Sequence, residues 1–552
     1  MSEEDWRRLD RRTVLVTAGV LVGVAGGAAL PTFFGLTNSM SAPRAIGWIL
    51  AGAALLVGGG SAADHVRWRR TRYRIGAERA ELHTGLLLVK RRSLARERIR
   101  SVDLTANPLQ RVLGLVKVRI GTGEHNGAGE STLELDPVAR AEGERLRRVL
   151  LERTLSATED TRHDGALAEL DPRWIRYAPV SFVAVLFGGA AAGAVMQVSE
   201  WFGAQKEVID WIGDRFQDTS IVSMILVLIA LAVLVGTVGA LALWVEMWWN
   251  YRLEREPGGT LRVRRGLFTA RSISIEERRL RGVELVEPLG VRMVRAARVD
   301  AVATGLAEDD EDKHAENKTL LPAAPRAIAD RVAAQVLREA EPPTGAPLTV
   351  HPRTARTRRL RWALWSVFGP VAVLVVLGVV LLTPVLLYVA AGCAVVLGPL
   401  AVVAATDAYR NLGHGVSGDY LVARSGTVRR TTVALERGGV IGWTVKQSYF
   451  QRRAGLLTLT ATTAAGAGGY DVYDAGQGEG LTFAAEAVPD LLAPFLEPVR
   501  ENAGGPVHRA VNRASLSVRQ AFGGQAEAGG YSARGSSEAA AASSSHSVRE
   551  RP

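Results

Sequence analysis

A single cysteine, Cys393, stands in 552 residues. That excludes an intramolecular disulfide and any zinc site built from several cysteines. The nine histidines are scattered, with no H-E-x-x-H and no carboxylate–histidine spacing of a metal site. Walker A and G-x-S-x-G sequences are absent too. GHGVSG at 413–418 fits G-x-G-x-x-G. A dinucleotide site needs that motif to join a strand to a helix in a parallel βαβ unit. Here it leaves an apolar run and enters short strands, so a turn is expected. No catalytic residue, cofactor or resident metal is expected.

Six stretches lack Asp, Glu, Lys and Arg altogether: 14–36, 45–63, 177–198, 221–245, 362–382 and 384–405. Each is long enough to cross about 30 Å of hydrocarbon at about 1.5 Å per residue. Buried helices of a soluble protein would keep a polar stripe, and these have none. The first stretch follows Arg7, Arg8, Arg11 and Arg12 as a signal peptide would, but it is longer than the usual apolar region of one. A membrane span is therefore expected there as well. The last two stretches are separated only by Thr383. Joined as one helix they would run about twice the core thickness, so a turn at Thr383-Pro384 is expected. Transport of ions or protons needs ionisable groups inside the membrane. Beyond Tyr and Trp, these spans offer only Thr, Ser, Gln197 and Cys393 as polar side chains.

The net charge of +11 is carried mostly by arginine and suits an anionic partner, lipid or nucleic acid. Its position beside apolar spans favours lipid and argues against nucleic acid. Arg7, Arg8, Arg11 and Arg12 precede the first span, and Arg67, Arg69, Arg70, Arg72 and Arg74 follow the second. Arg353, Arg356, Arg358, Arg359 and Arg361 precede the fifth, whereas the opposite loops hold only Arg44, Lys206 and Arg215. The positive-inside rule then predicts cytoplasmic termini and large segments in the plasma membrane.

Each pair of spans is followed by about 90 residues that superimpose as a repeat. The first copy begins RWRRTRYRIGAERAELHTGLLLVKRRSLARERIRSVDL. The second begins EMWWNYRLEREPGGTLRVRRGLFTARSISIEERRLRGVEL, and the third TDAYRNLGHGVSGDYLVARSGTVRRTTVALERGGVIGWTV. A tyrosine near the membrane exit recurs (Tyr73, Tyr251, Tyr409), then a turn glycine (Gly85, Gly266, Gly426). Fourteen positions after the glycine an apolar residue opens another strand (Ile99, Leu280, Val440). LQRVLGLVKVRI at 109–120 answers FQRRAGLLTLTA at 450–461, and more loosely GVRMVRAARVDA at 290–301. Period-two runs such as VKVRI and LTLTA predict half-buried strands. A closing helix is expected in each copy. It is capped at Asp136-Pro137 in the first and carries Ile328, Val332 and Val336 on one face in the second. Val488, Leu491, Leu492, Phe495 and Leu496 form its face in the third.

The run from YRIG through LHTGLLLVKRRSLARERIRSVDLTANPLQRVLGLVKVRI resembles the second bacterial pleckstrin-homology (PH) family, whose members join such domains to transmembrane hairpins. The resemblance implies a membrane α + β protein in which three transmembrane helical hairpins are each followed by a small PH-like β-barrel closed by a C-terminal helix. It carries no catalytic residues. The expected divisions are 1–66 for the N-terminal segment and first hairpin, 67–153 for the first PH-like domain, and 154–250 for a linker and the second hairpin. The second domain then takes 251–340, a linker and third hairpin 341–408, and the third domain 409–498. An acidic insertion at 307–318 reads as a hairpin loop, and the Gly-, Ala- and Ser-rich segment 499–552 as disordered.

The remaining candidates for function are basic. Lys90, Arg91 and Arg92 sit together in the first copy, and Arg262, Arg264 and Arg265 occupy a similar place in the second. They are candidate contacts to anionic inner-leaflet headgroups or a protein partner. Generic attraction beside an anionic leaflet contributes about 1 kcal/mol per base without a pocket. Three tethered domains raise one another's effective concentration at the leaflet. The expected function is a non-catalytic scaffold binding a protein segment, anionic lipid or another copy of the chain. A specific lipid sensor or handler is the alternative, and a transporter or enzyme subunit the more distant one.

Overall fold

Among the described residues six helices are long and apolar enough to cross a membrane, at Thr13–Thr37, Ala42–Arg70, Val183–Trp201, Ile221–Trp248, Arg353–Val380 and Pro384–Arg410. The computed structural model describes residues 6–492 apart from 38, 77, 86–89, 100, 122–131, 152–164, 181, 257–258 and 305–317. The acidic insertion (save Lys318) and the segment 499–552 therefore lie outside the described residues. The expected turn between the last two spans is present: helix ends at Val380, Leu382 takes φ +53°, and helix resumes at Pro384. The third span starts later than residue 177, because a 3-10 helix at Pro172–Tyr177 precedes it. Between the third and fourth spans a short helix, Gln205–Arg215, exposes Ile209 and Trp211. That arrangement suits an interfacial helix lying along a membrane.

Contacts divide the chain into two units. One is built on residues up to 345 with 428–435 and 465–468; the other takes the remainder from 346. In the first unit the second hairpin brings its helices close through glycine. A Cβ on Gly236 would stand 1.9 Å from the Ala184 carbonyl oxygen, and one on Gly188 would stand 2.3 Å from that of Ala232. Small residues permit such close backbone approach between spans. Gly236→Leu should therefore separate this pair, lowering the thermal midpoint of the solubilised chain. Gly23→Leu, which has open space around its position, should leave that midpoint unchanged.

Strands follow the alternation read from sequence, but they do not close three barrels. In the first copy Arg72–Ile75, Arg79–Thr84 and Lys90–Ala95 form one antiparallel sheet, extended by Arg7–Arg8. Ser101–Ala106, Leu115–Gly121 and Thr132–Ala139 belong to another sheet. The two share a core with the helix Arg140–Leu151, through Tyr73, Leu82, Val118, Ile120, Leu146 and Leu150. The expected barrel stays open because Ser101–Ala106 pairs with Ala270–Glu276 of the second copy and not with Lys90–Ala95. A seven-stranded sheet results. Its order runs Thr132–Ala139, Leu115–Gly121, Ser101–Ala106, Ala270–Glu276, Thr260–Arg265, Arg252–Glu256 and Ala166–Glu169. The last strand comes from a segment read only as linker.

The pattern repeats one copy further along. Leu280–Pro288 pairs on one side with Ala296–Ala303 and on the other with Arg429–Glu436 of the third copy. Helix Arg326–Leu337 buries Val332 and Val336 as expected. In the second unit Gly413–Ser417 pairs with Tyr420–Ser425, so the GHGVSG run is an antiparallel strand and its turn. Val440–Lys446, Leu456–Thr463 and Gly469–Gly476 form the remaining sheet.

Two helix expectations are corrected. Asp136 and Pro137 lie within a strand, and the first closing helix starts at Arg140. The third copy's packed helix is Gln477–Ala487, burying Leu481, Phe483, Ala484 and Ala487. It stops before Val488 because Pro489 disfavours helix in the residue preceding it. Leu491 and Leu492 belong to the next short helix, Pro489–Leu492, and Phe495 and Leu496 lie outside the described residues.

Candidate functional site: an arginine-lined cavity

The site grows from the end of the fourth span. Glu246, two residues before the helix ends at Trp248, accepts hydrogen bonds from the backbone N–H groups of Phe268 and Thr269, each at 2.9 Å. Gly266 takes φ +113°, and a Cβ there would meet the Thr269 carbonyl oxygen at 1.9 Å. Only glycine makes this turn without strain, and its N–H donates to the Trp249 carbonyl at 2.8 Å. The hairpin Thr260–Arg265 to Ala270–Glu276 is thereby fixed against the membrane exit. Tyr251 is buried, and its hydroxyl donates to the Leu320 carbonyl at 2.5 Å.

Period-two alternation on Thr260–Arg265 puts Arg262 and Arg264 on one face and Arg265 on the other. Arg262 is buried and bridges two copies. It donates to Glu144 of the helix Arg140–Leu151 at 2.9 Å, to Glu256 at 2.9 Å and to Ser272 at 2.9 Å. Arg147, also buried, donates to the same Glu256 at 2.8 Å and to Ser274 at 3.0 Å. Two arginines and two glutamates thus form a charge-balanced network. Burial alone would raise both carboxylates. At Glu256 the hydrogen bond and charge of Arg147, with Arg262, outweigh burial and hold the group below its ordinary value. At Glu144 the charges of Arg262 and Arg147 do the same.

Beside this network opens a cavity of about 730 Å³, within the usual range for ligand sites. Arg111, Arg140, Arg252, Arg262, Arg264, Arg265 and Arg271 line it, against only Glu144 and Glu169. Leu104, Leu115, Val116 and Leu170 give it an apolar wall, and Trp249 and Asn250 bring it to the end of the fourth span. Arg265 is buried with its guanidinium 4.4 Å from the centre of the Trp248 ring. Burial, reinforced by the charges of Arg271 and Arg298, pushes its pKa down to about 10. Burial likewise lowers Arg271, and burial with the charge of Arg262 lowers Arg264. Arginine does not deprotonate under such pressure. Glu254 and Glu256, just outside the lining, offset part of this charge, and the remainder is positive charge that an anion would relieve.

Of the six residues singled out from sequence, the structure brings Arg262, Arg264 and Arg265 together on this cavity. Arg262 and Arg265 are buried, whereas Arg264 is half exposed and 3.4 Å from Glu254. Lys90, Arg91 and Arg92 lie elsewhere, on the strand Lys90–Ala95, with Lys90 and Arg91 exposed. Sequence reasoning missed Arg111, Arg140, Arg252 and Arg271. Arg271, five residues past the recurrent turn glycine, was the most findable of these. Among the described residues no group of three or more His, Cys, Asp or Glu is placed to hold a metal ion.

Six apolar helices and three tandem sheet-and-helix repeats define a transmembrane protein carrying PH domains. The chain belongs to the bacterial PH domain family, which matches residues 25–154, 182–340 and 367–491. Each match begins within a hairpin, so hairpin and domain recur together. The chain is similar to the UPF0699 transmembrane protein YdbT of Bacillus subtilis (strain 168), 24% identical over 455 residues, covering 78% of this chain and 87% of that protein. No solved structure matches. The family is that of a PH domain and names no catalytic activity.

Proposed function

We propose that the protein is a non-catalytic scaffold of the plasma membrane whose cavity at the end of the fourth span binds the phosphate of an anionic phospholipid. Its termini and PH copies face the cytoplasm in this reading. The observation that carries it is the lining of seven arginines against two glutamates, set where a span leaves the bilayer. The arginine asymmetry of the loops supports the orientation. An apolar wall beside the bases suits a headgroup that keeps its chains in the bilayer. Lys90 and Arg91 add generic attraction to the same leaflet, without a pocket.

The test uses the full chain purified in neutral detergent and short-chain phosphatidylglycerol as the probe. Arg140 and Arg264 line the cavity but stand outside the buried network, so Arg140→Gln with Arg264→Gln should spare the fold. At about 1 kcal/mol per base near the phosphate, the pair should weaken binding about thirtyfold. Short-chain phosphatidylcholine should bind less tightly than phosphatidylglycerol. Equal affinity for the two lipids, or no change in the variant, would remove the reading. Competition by glycerol phosphate as effective as the lipid itself would make the ligand a soluble phosphate instead.

A further inference from the structure

The copies are joined by strand pairing, and both joints have the same register. At the first, Leu104 faces Ser272 and Thr105 faces Arg271. At the second, Leu285 faces Thr432 and Val286 faces Thr431. Leu104 and Leu285 each lie five residues after the recurrent apolar residue of their copy (Ile99, Leu280). Ser272 and Thr432 each lie six after their turn glycine (Gly266, Gly426). A tandem array joined this way leaves one strand of each kind unused. Among the described residues these are Lys90–Ala95, at the edge of the first sheet, and Val440–Lys446, at the edge of the last.

The unused strand in the third copy differs from its counterparts. Val102 and Leu104 are buried, as are Val283 and Leu285. In Val440–Lys446, Ile441 is 61% exposed and Val445 only half buried, and the Trp443 indole N–H has no partner although it is out of solvent. That is the pattern of an edge with no neighbouring strand among the described residues, and exposed apolar edges invite another strand.

We propose that Val440–Lys446 pairs with Lys90–Ala95 of a second copy of this chain, antiparallel and in the register of the two internal joints. Val445 would then face Arg91, and Lys446 would face Lys90. Four spans separate the two strands in sequence. An even number puts both on one side of the membrane, whichever side that is, so neighbouring chains present them to each other. The contact is heterologous, so it builds a closed ring or a row, not a two-fold dimer. Facing lysines oppose each other across strands, which keeps the association weak and strengthens it with salt.

The experiment uses full-length chains in native membranes, with Cys393→Ala as background. One tagged chain carries Arg91→Cys and a differently tagged chain carries Val445→Cys; a short bismaleimide is added after co-expression. Thr105→Cys with Arg271→Cys in one chain, facing each other at the first joint, is the positive control. The expected product carries both tags and exceeds that from two Arg91→Cys chains. Lys446→Glu should raise its yield roughly two- to fivefold, and Lys90→Glu should do likewise. Combining them should cancel the gain, since two glutamates then face each other. A mixed product no more abundant than the symmetric one, or a yield that ignores the charge exchange, overturns the proposal.

Discussion

Acidification from pH 7 to pH 4 should loosen the third copy by about 3 kcal/mol through one histidine pair. His351 and His414 are both buried. A carbonyl only accepts, so the His351 Nδ1–H donates to the Asp474 carbonyl at 3.2 Å, and its Nε2 is left bare. That nitrogen accepts from the His414 Nδ1–H at 2.9 Å. The arrangement requires His351 neutral, since its Nε2 must accept, and leaves burial to keep His414 neutral. Burial, with the neighbouring His351, pushes His414 from 6.5 down to about 4, and burial lowers His351 too. The folded value lies below the unfolded one, so stability is full above pH 6.5 and is lost as pH falls through the window to about 4. At about 1.4 kcal/mol per pH unit, that window corresponds to about 3 kcal/mol. Asp474, on the strand Gly469–Gly476, is held by Arg359 at 3.1 Å and by Arg358 and accepts the His351 hydrogen bond through its carbonyl. Hydrogen exchange of Gly413–Ser417 and Gly469–Gly476 at pH 7, 5.5 and 4 should show the loss. His414→Gln should flatten the difference between pH 7 and pH 4. An equal pH dependence in the variant would mean that the pair is not its source.

The second large effect concerns two arginines only two positions apart. Arg262→Met should destabilise the joint between the first and second copies by about 3–5 kcal/mol, since removing one partner of a buried pair strands the others. Glu144 and Glu256 would keep Arg147 alone between them. Arg264→Met, half exposed and 3.4 Å from a single carboxylate, should cost under about 1 kcal/mol. Proteolysis of the full chain distinguishes them. Cleavage within 140–151 and 252–256 should accelerate in the first variant and stay at the native rate in the second. Similar rates in both would show that the buried network does not hold the joint.

That contrast also marks where sequence stops being informative. Alternation put Arg262 and Arg264 on one face of a strand, and nothing local distinguishes them. Arg262 is buried because the helix Arg140–Leu151 of the preceding copy, more than a hundred residues away, lays Glu144 over it. Charge-free runs located all six spans, since the bilayer constrains each span independently of the rest of the fold. The turn glycines and strand starts were legible for a similar reason, because a φ of +113° at Gly266 or +105° at Gly426 needs glycine whatever surrounds it. Strand partners were not legible. Ser101–Ala106 would read the same beside Lys90–Ala95 as beside Ala270–Glu276, and that choice left the barrel open. The cavity follows from it, since its wall comes from both sides of the joint.

Whether that cavity holds an anionic lipid is measured most directly by native mass spectrometry of the intact chain released from mixed phosphatidylglycerol and phosphatidylcholine. One phosphatidylglycerol per chain should survive activation that strips phosphatidylcholine, and it should be lost in Arg140→Gln with Arg264→Gln. Both lipids leaving together, or phosphatidylglycerol retained equally by that variant, would contradict lipid binding in the cavity.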